Sequence, residues 1–103
     1  MSFDFVKGSQ LLQTQAEALS AEGTNVHFRK SVSLPNPKLM VELSGQKALG
    51  LFECWATGET DYTIHQASKD MPMLAHRWGH IVDDQTIQQS FNDFVAEFQR
   101  IER

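Results

Sequence analysis

The sequence predicts an α+β domain: a two-layer sandwich in which an antiparallel meander of four or five strands carries an N-terminal and a C-terminal helix on one face. Three observations predict it. Residues 3–22 and 84–102 space their apolar side chains at helical intervals. The segment between them alternates apolar with polar residues, and turn formers break that alternation at short intervals. Two amphipathic helices and a sheet with one apolar face bury most surface when both helices lie on that face. The other face then meets solvent or a partner.

In the first helix Phe5, Leu12, Ala16 and Leu19 mark one side, with Val6 and Leu11 flanking it. Gly23 is placed to end it. Gly8 weakens the first turn by about 1 kcal/mol relative to alanine, which allows a later start.

Residues 25–34 alternate, with Val26, Phe28, Val32 and Leu34 on one side and His27, Arg29, Ser31 and Ser33 on the other. Pro35-Asn36-Pro37 makes a turn, because neither proline can donate to a ladder. A second strand over 38–43 turns Leu39, Val41 and Leu43 inward, and Ser44-Gly45-Gln46-Lys47 supplies the next turn.

A third strand near 48–56 and a fourth near 60–66 form a hairpin. Phe52, Cys54 and Ala56 make one apolar row, Tyr62 and Ile64 another. Pairing Ala56 with Thr60 sends both rows to the core and leaves Thr57-Gly58-Glu59 as a three-residue loop, with Gly58 or a neighbour left-handed. In that register Glu53, Trp55, Asp61, Thr63 and His65 share the opposite face. Residues 71–78 suggest a fifth strand whose start Pro72 confines to an edge or a turn.

The last helix carries Ile87, Phe91, Phe94, Val95, Phe98 and Ile101 on one side. Asp83 or Asp84 is available as its N-cap, and Arg100 and Arg103 suit the negative end of its dipole.

The 103 residues suffice for a single domain with a modest core. No apolar run approaches the roughly 20 residues of a membrane span. The opening MSFDFVKGSQ carries Asp4 and does not read as a secretory signal. One cysteine rules out an internal disulfide and fits a reducing compartment. The expectation is a soluble cytoplasmic protein. The net charge of −4 is uneven: residues 1–50 sum to +1 and residues 51–103 to −5. That balance disfavours nucleic acid and suits either simple solubility or attraction to a basic protein.

Chemistry has few candidates. Cys54 and His65 could serve as nucleophile and base, but the preferred register puts them on opposite faces, and a lone cysteine commonly packs as a small hydrophobe. His76 and His80, with Asp83 and Asp84 beyond, suggest a metal. On a strand, however, residues four apart stand about 13 Å from each other, too far for one ion. Glu53, Glu59 and Asp61 read as a solvated acidic hairpin. Arg29 and Lys30 are too few for a nucleic-acid stripe. An outward Trp55 amid charges fits either an interface anchor or a residue covered by a loop or by the fifth strand.

The run Gly50-Leu51-Phe52-Glu53-Cys54-Trp55-Ala56-Thr57-Gly58-Glu59-Thr60-Asp61-Tyr62, preceded by Pro37 and Val41-Glu42-Leu43, resembles the middle of small bacterial immunity proteins of the TriTu type. The likeness covers roughly residues 36–100, although Met71-Pro72-Met73 stands where such proteins show a plain turn and strand. The resemblance implies an immunity protein that binds the C-terminal domain of a cognate secreted toxin, often one of contact-dependent inhibition systems and often a nuclease, and blocks it in the cytoplasm. It implies no catalytic residues. The expected contact surface holds Glu53, Trp55, Glu59, Asp61 and His65, with Trp78, Asp83 and Asp84 as second choices. A monomer in a 1:1 complex is expected, with no cofactor, metal, nucleic acid or membrane. The alternative is a small adaptor or secretion chaperone that binds a partner polypeptide.

Overall fold

In the computed structural model, which describes residues 4–31, 36–80 and 84–103 (without the side chains of residues 84 and 85), helix α1 spans Phe5–Ala21. Gly8 does not delay its start, because Asp4 caps it. Asp4 Oδ1 accepts from the amides of Val6 at 3.0 Å and Lys7 at 3.2 Å, satisfying two donors that the helix itself leaves unpaired. At the far end Gly23 adopts φ 95°. Its amide donates to the Ser20 carbonyl at 3.0 Å, and that of Thr24 donates to Leu19 at 3.0 Å. This paired closure needs a left-handed residue, which glycine supplies without Cβ strain.

Five strands follow: β1 Asn25–Ser31, β2 Lys38–Ser44, β3 Ala48–Trp55, β4 Glu59–Gln66 and β5 Met73–His80, and then helix α2, Asp84–Glu102. The strands lie in sequence order and pair antiparallel throughout. The expected continuation of β1 through Val32 and Leu34 falls outside the described residues. So do the expectations for Asp83 and for the Asp84 side chain, including the N-cap.

The β3–β4 hairpin corrects the sequence reading by two residues. Cys54, not Ala56, faces Thr60, and Phe52 faces Tyr62. The loop is still three residues long but comprises Ala56-Thr57-Gly58. Gly58, at φ 95°, is its last residue, and the Gly58 amide donates to the Trp55 carbonyl at 2.8 Å. A left-handed residue closes a three-residue hairpin loop, so the glycine sets where the loop ends. Ala56 leaves the β4 ladder, and its amide bonds the Pro37 carbonyl at 2.8 Å instead. A slide of two residues preserves side-chain parity, so the strand residues keep their expected faces, while Ala56, expected in the inner row, lies half-buried in the loop.

Leu39, Val41, Leu43, Phe52, Cys54 and Ile64 are all buried on the inner face. Leu12 and Leu19 of α1 and Ile87, Phe91, Phe94 and Phe98 of α2 join them in one cluster, so both helices cover the same side of the sheet. Phe52 meets Phe91 edge-on, with ring centres 5.3 Å apart, and Tyr62 packs on Phe94 at 5.4 Å. Gly50 lets α2 approach this closely: a Cβ there would stand 2.9 Å from the Phe94 ring.

Pro72 immediately precedes β5, which forms one edge of the sheet. An irregularity at Ile64/His65 pairs Ile64 with Ala75 and His65 with Met73, leaving Leu74 as the extra residue of a bulge. The helices do not blanket β5. Met73 and Leu74 are exposed, and Arg77 reaches Asp93 of α2 only at 3.6 Å.

Candidate interaction face

Strand alternation sends the sheet's polar residues to the side away from the helices. The registers arrange them in rows across the strands. Lys38 faces Trp55; Met40 faces Glu53, which faces Asp61, which faces Trp78. In the next row His27 faces Glu42, then Leu51, Thr63 and His76, while His80 stands opposite Glu59. Six of the eight residues expected at a contact surface, namely Glu53, Trp55, Glu59, Asp61, His65 and Trp78, therefore share this outer face. Asp83 and the Asp84 side chain are outside the described residues.

The face divides electrostatically. Toward β1–β3 its charges are paired within the chain. Arg29 pairs with Glu42, and Lys38 Nζ meets Glu53 Oε2 at 2.6 Å. Lys38 also lies 5.5 Å from the centre of the Trp55 ring, so Trp55 is half-covered by its own cross-strand neighbour. Toward β5 the arrangement differs. His76 Nε2 stands 2.6 Å from Asp61 Oδ1, and Glu59 is exposed with no ion pair among the described residues. Trp78 is 65% exposed, well above the half-buried Trp55 that the hairpin pattern singled out first.

Beside His65 the face dips into a hollow of about 400 Å³, lined by Leu49, Leu51, Thr63 and Met71 among others. Met71 has φ 44°, an uncommon left-handed setting for a methionine, in the connection that leads to Pro72. Leu49, Leu51, Lys38 and Glu42 escaped the sequence reading as surface residues. The signal was present: they share strand parity with Glu53 and Trp55.

The Cys54–His65 pair does not assemble. Cys54 is fully buried on the inner face, its Sγ donating to the Trp55 carbonyl at 3.7 Å, and burial pushes its thiol pKa up to about 12. His65 lies across the sheet from it. His76 and His80 lie on one strand face, as their spacing allows, and among the described residues no three His, Cys, Asp or Glu side chains converge on a common point.

A larger cavity, about 830 Å³, opens at the end of the sandwich between the β2–β3 turn and the end of α2. Sequence reasoning missed the group that dominates it. Glu102 Oε1 accepts from the Gln46 amide at 2.6 Å, and Oε2 accepts from Lys47 at 3.0 Å and Ala48 at 2.9 Å. Desolvation alone would raise this carboxyl's pKa, but the three amides and the Lys47 ammonium together outweigh it and hold the group below its ordinary value. The carboxylate is thus already committed to the fold.

No described helix is long and apolar enough to cross a membrane. Compared with models of protein families, with curated proteins and with solved structures, the chain matches none.

Proposed function

We propose that this protein is an immunity protein: a cytoplasmic monomer that binds the C-terminal domain of a cognate secreted toxin one-to-one and neutralises it by covering its active site. The observation that carries the reading is the outer sheet face. Both helices lie on the other side, so a five-stranded surface bearing both tryptophans, four carboxylates and an apolar hollow is left to bind something. Aromatic anchors ringed by charged groups favour a protein ligand, since the aromatics supply contact energy and the charges steer encounter. The resemblance of residues 36–100 to TriTu-type immunity proteins agrees with that use. A basic nuclease suits the acidic β4–β5 half of the face.

The test is genetic and biochemical together. The polypeptide encoded beside this chain, if it ends in a toxic domain, is expressed with and without it. Rescue of growth and co-elution as a 1:1 complex are expected. Toxicity that persists despite equimolar expression refutes the reading. A free protein that sizes as a dimer and holds an unfolded segment instead assigns it to the secretion chaperones.

A further inference from the structure

One cation seat on the outer face is occupied by the chain's own Lys38. Its ammonium bonds Glu53 at 2.6 Å and rests 5.5 Å from the Trp55 ring centre, between a carboxylate and an aromatic surface. The same chemistry recurs two strands away. Trp78 stands opposite Asp61, with Glu59 one step along β4 on the same face. Among the described residues no lysine or arginine pairs with Glu59 or Asp61 or lies over Trp78. The arginine of β5, Arg77, sits on the other side of the sheet with Asp93.

We infer that Trp78, Glu59 and Asp61 form a second cation seat, which takes a lysine or arginine side chain presented by a partner protein. The inference rests on the outer face being the docking surface, and it names the chemistry of the partner's anchor. Trp78 is the most exposed large hydrophobic side chain on that face, and an exposed indole beside two carboxylates is a poor surface for water and a good one for a weakly hydrated guanidinium.

Two histidines of β5 border the seat. Each carboxylate faces a histidine of β5: His76 contacts Asp61, and His80 stands opposite Glu59. The other ionisable groups facing the site are Glu53, across from Asp61 and held by Lys38, and His65 further along β4.

The test uses the full chain, labelled with nitrogen-15 and titrated with hexa-arginine at low ionic strength near pH 7.5, with hexaglutamate as the charge control. With hexa-arginine alone, the Trp78 indole N–H and the amides of Glu59 and Asp61 are expected to shift ahead of all others. Trp78→Ala, and Glu59→Gln combined with Asp61→Asn, should each weaken binding by about fivefold or more. These side chains lie outside the core, and unchanged melting midpoints verify the fold of the variants. Shifts centred on other carboxylates, binding indifferent to Trp78, or no binding at all overturn the seat. Because the probe is not a toxin, the seat can fail while toxin neutralisation stands, and the reverse.

Discussion

The Glu102 carboxylate occupies the space that a Cβ on Gly45 would need. The turn between β2 and β3 is thereby clasped by the last turn of α2, through three amide donors and through Lys47 Nζ, which donates to the Arg103 carbonyl at 2.8 Å. Gly45→Ala must push the carboxylate off those amides. Loss of charge-assisted hydrogen bonds at an exposed site should cost roughly 1–2 kcal/mol, read as a lower denaturant midpoint with an unchanged slope.

The same clasp predicts a pH dependence. A carboxylate whose folded pKa lies below its unfolded value, here 4.5, stabilises the fold at all pH above that value. The contribution is lost as pH falls through the folded pKa. Stability of Glu102→Gln should therefore decline less steeply than that of the native chain below about pH 4.5. Parallel acid curves for the two would show that the clasp contributes nothing.

Gly50 should not tolerate a side chain. A Cβ at that position meets Phe94 at 2.9 Å and Phe98 at 3.2 Å, both buried rings of α2. Gly50→Ala is expected to destabilise by about 1–3 kcal/mol through overpacking, despite alanine's better fit to most backbones. Thermal melting measures it directly.

Cys54 should be chemically silent in the native state. Full burial and a thiol pushed up to about 12 leave almost no thiolate near neutral pH. Labelling by an aromatic disulfide reagent should require denaturant and proceed at the unfolding rate. Rapid native-state labelling would contradict the burial.

The two tryptophans should separate in quenching experiments. Trp78 is 65% exposed, while Trp55 is half-buried beneath Lys38. Acrylamide is expected to quench Trp55→Phe, which reports on Trp78, markedly more than Trp78→Phe. Lys38→Ala should then raise quenching of Trp55 in the latter background.

Against a cognate basic partner, Glu59→Lys with Asp61→Lys should slow association more than it speeds dissociation, with the difference shrinking as salt rises. Surface plasmon resonance across ionic strengths reads this. Identical association rates at low salt would remove both carboxylates from the contact.

Much of the architecture was legible because a period is a local property. The alternation of Leu39, Val41, Leu43, Phe52, Cys54, Tyr62 and Ile64 assigned the inner face, and so by subtraction assigned Glu53, Trp55, Asp61 and His65 to the outer one. The same logic could not see the hairpin register. A shift of two residues changes no side chain's face, so the apolar pattern accepts Ala56 and Cys54 equally as the partner of Thr60. The left-handed Gly58 at the loop's end decided between them.

By itself, the sequence determined the element order, the single apolar face and the placement of both helices over it, because burial of greasy surface is dictated by composition and spacing. Only the tertiary structure decided what stands beside what: Lys38 over Trp55, His76 on Asp61, and Glu102 on a turn more than fifty residues earlier in the chain. Those contacts depend on register and on where a helix end lands, and both are set by chain closure over long distances. That is why Trp78, read from sequence as a second choice, became the most exposed large hydrophobic side chain on the face once β5 took its place at the edge.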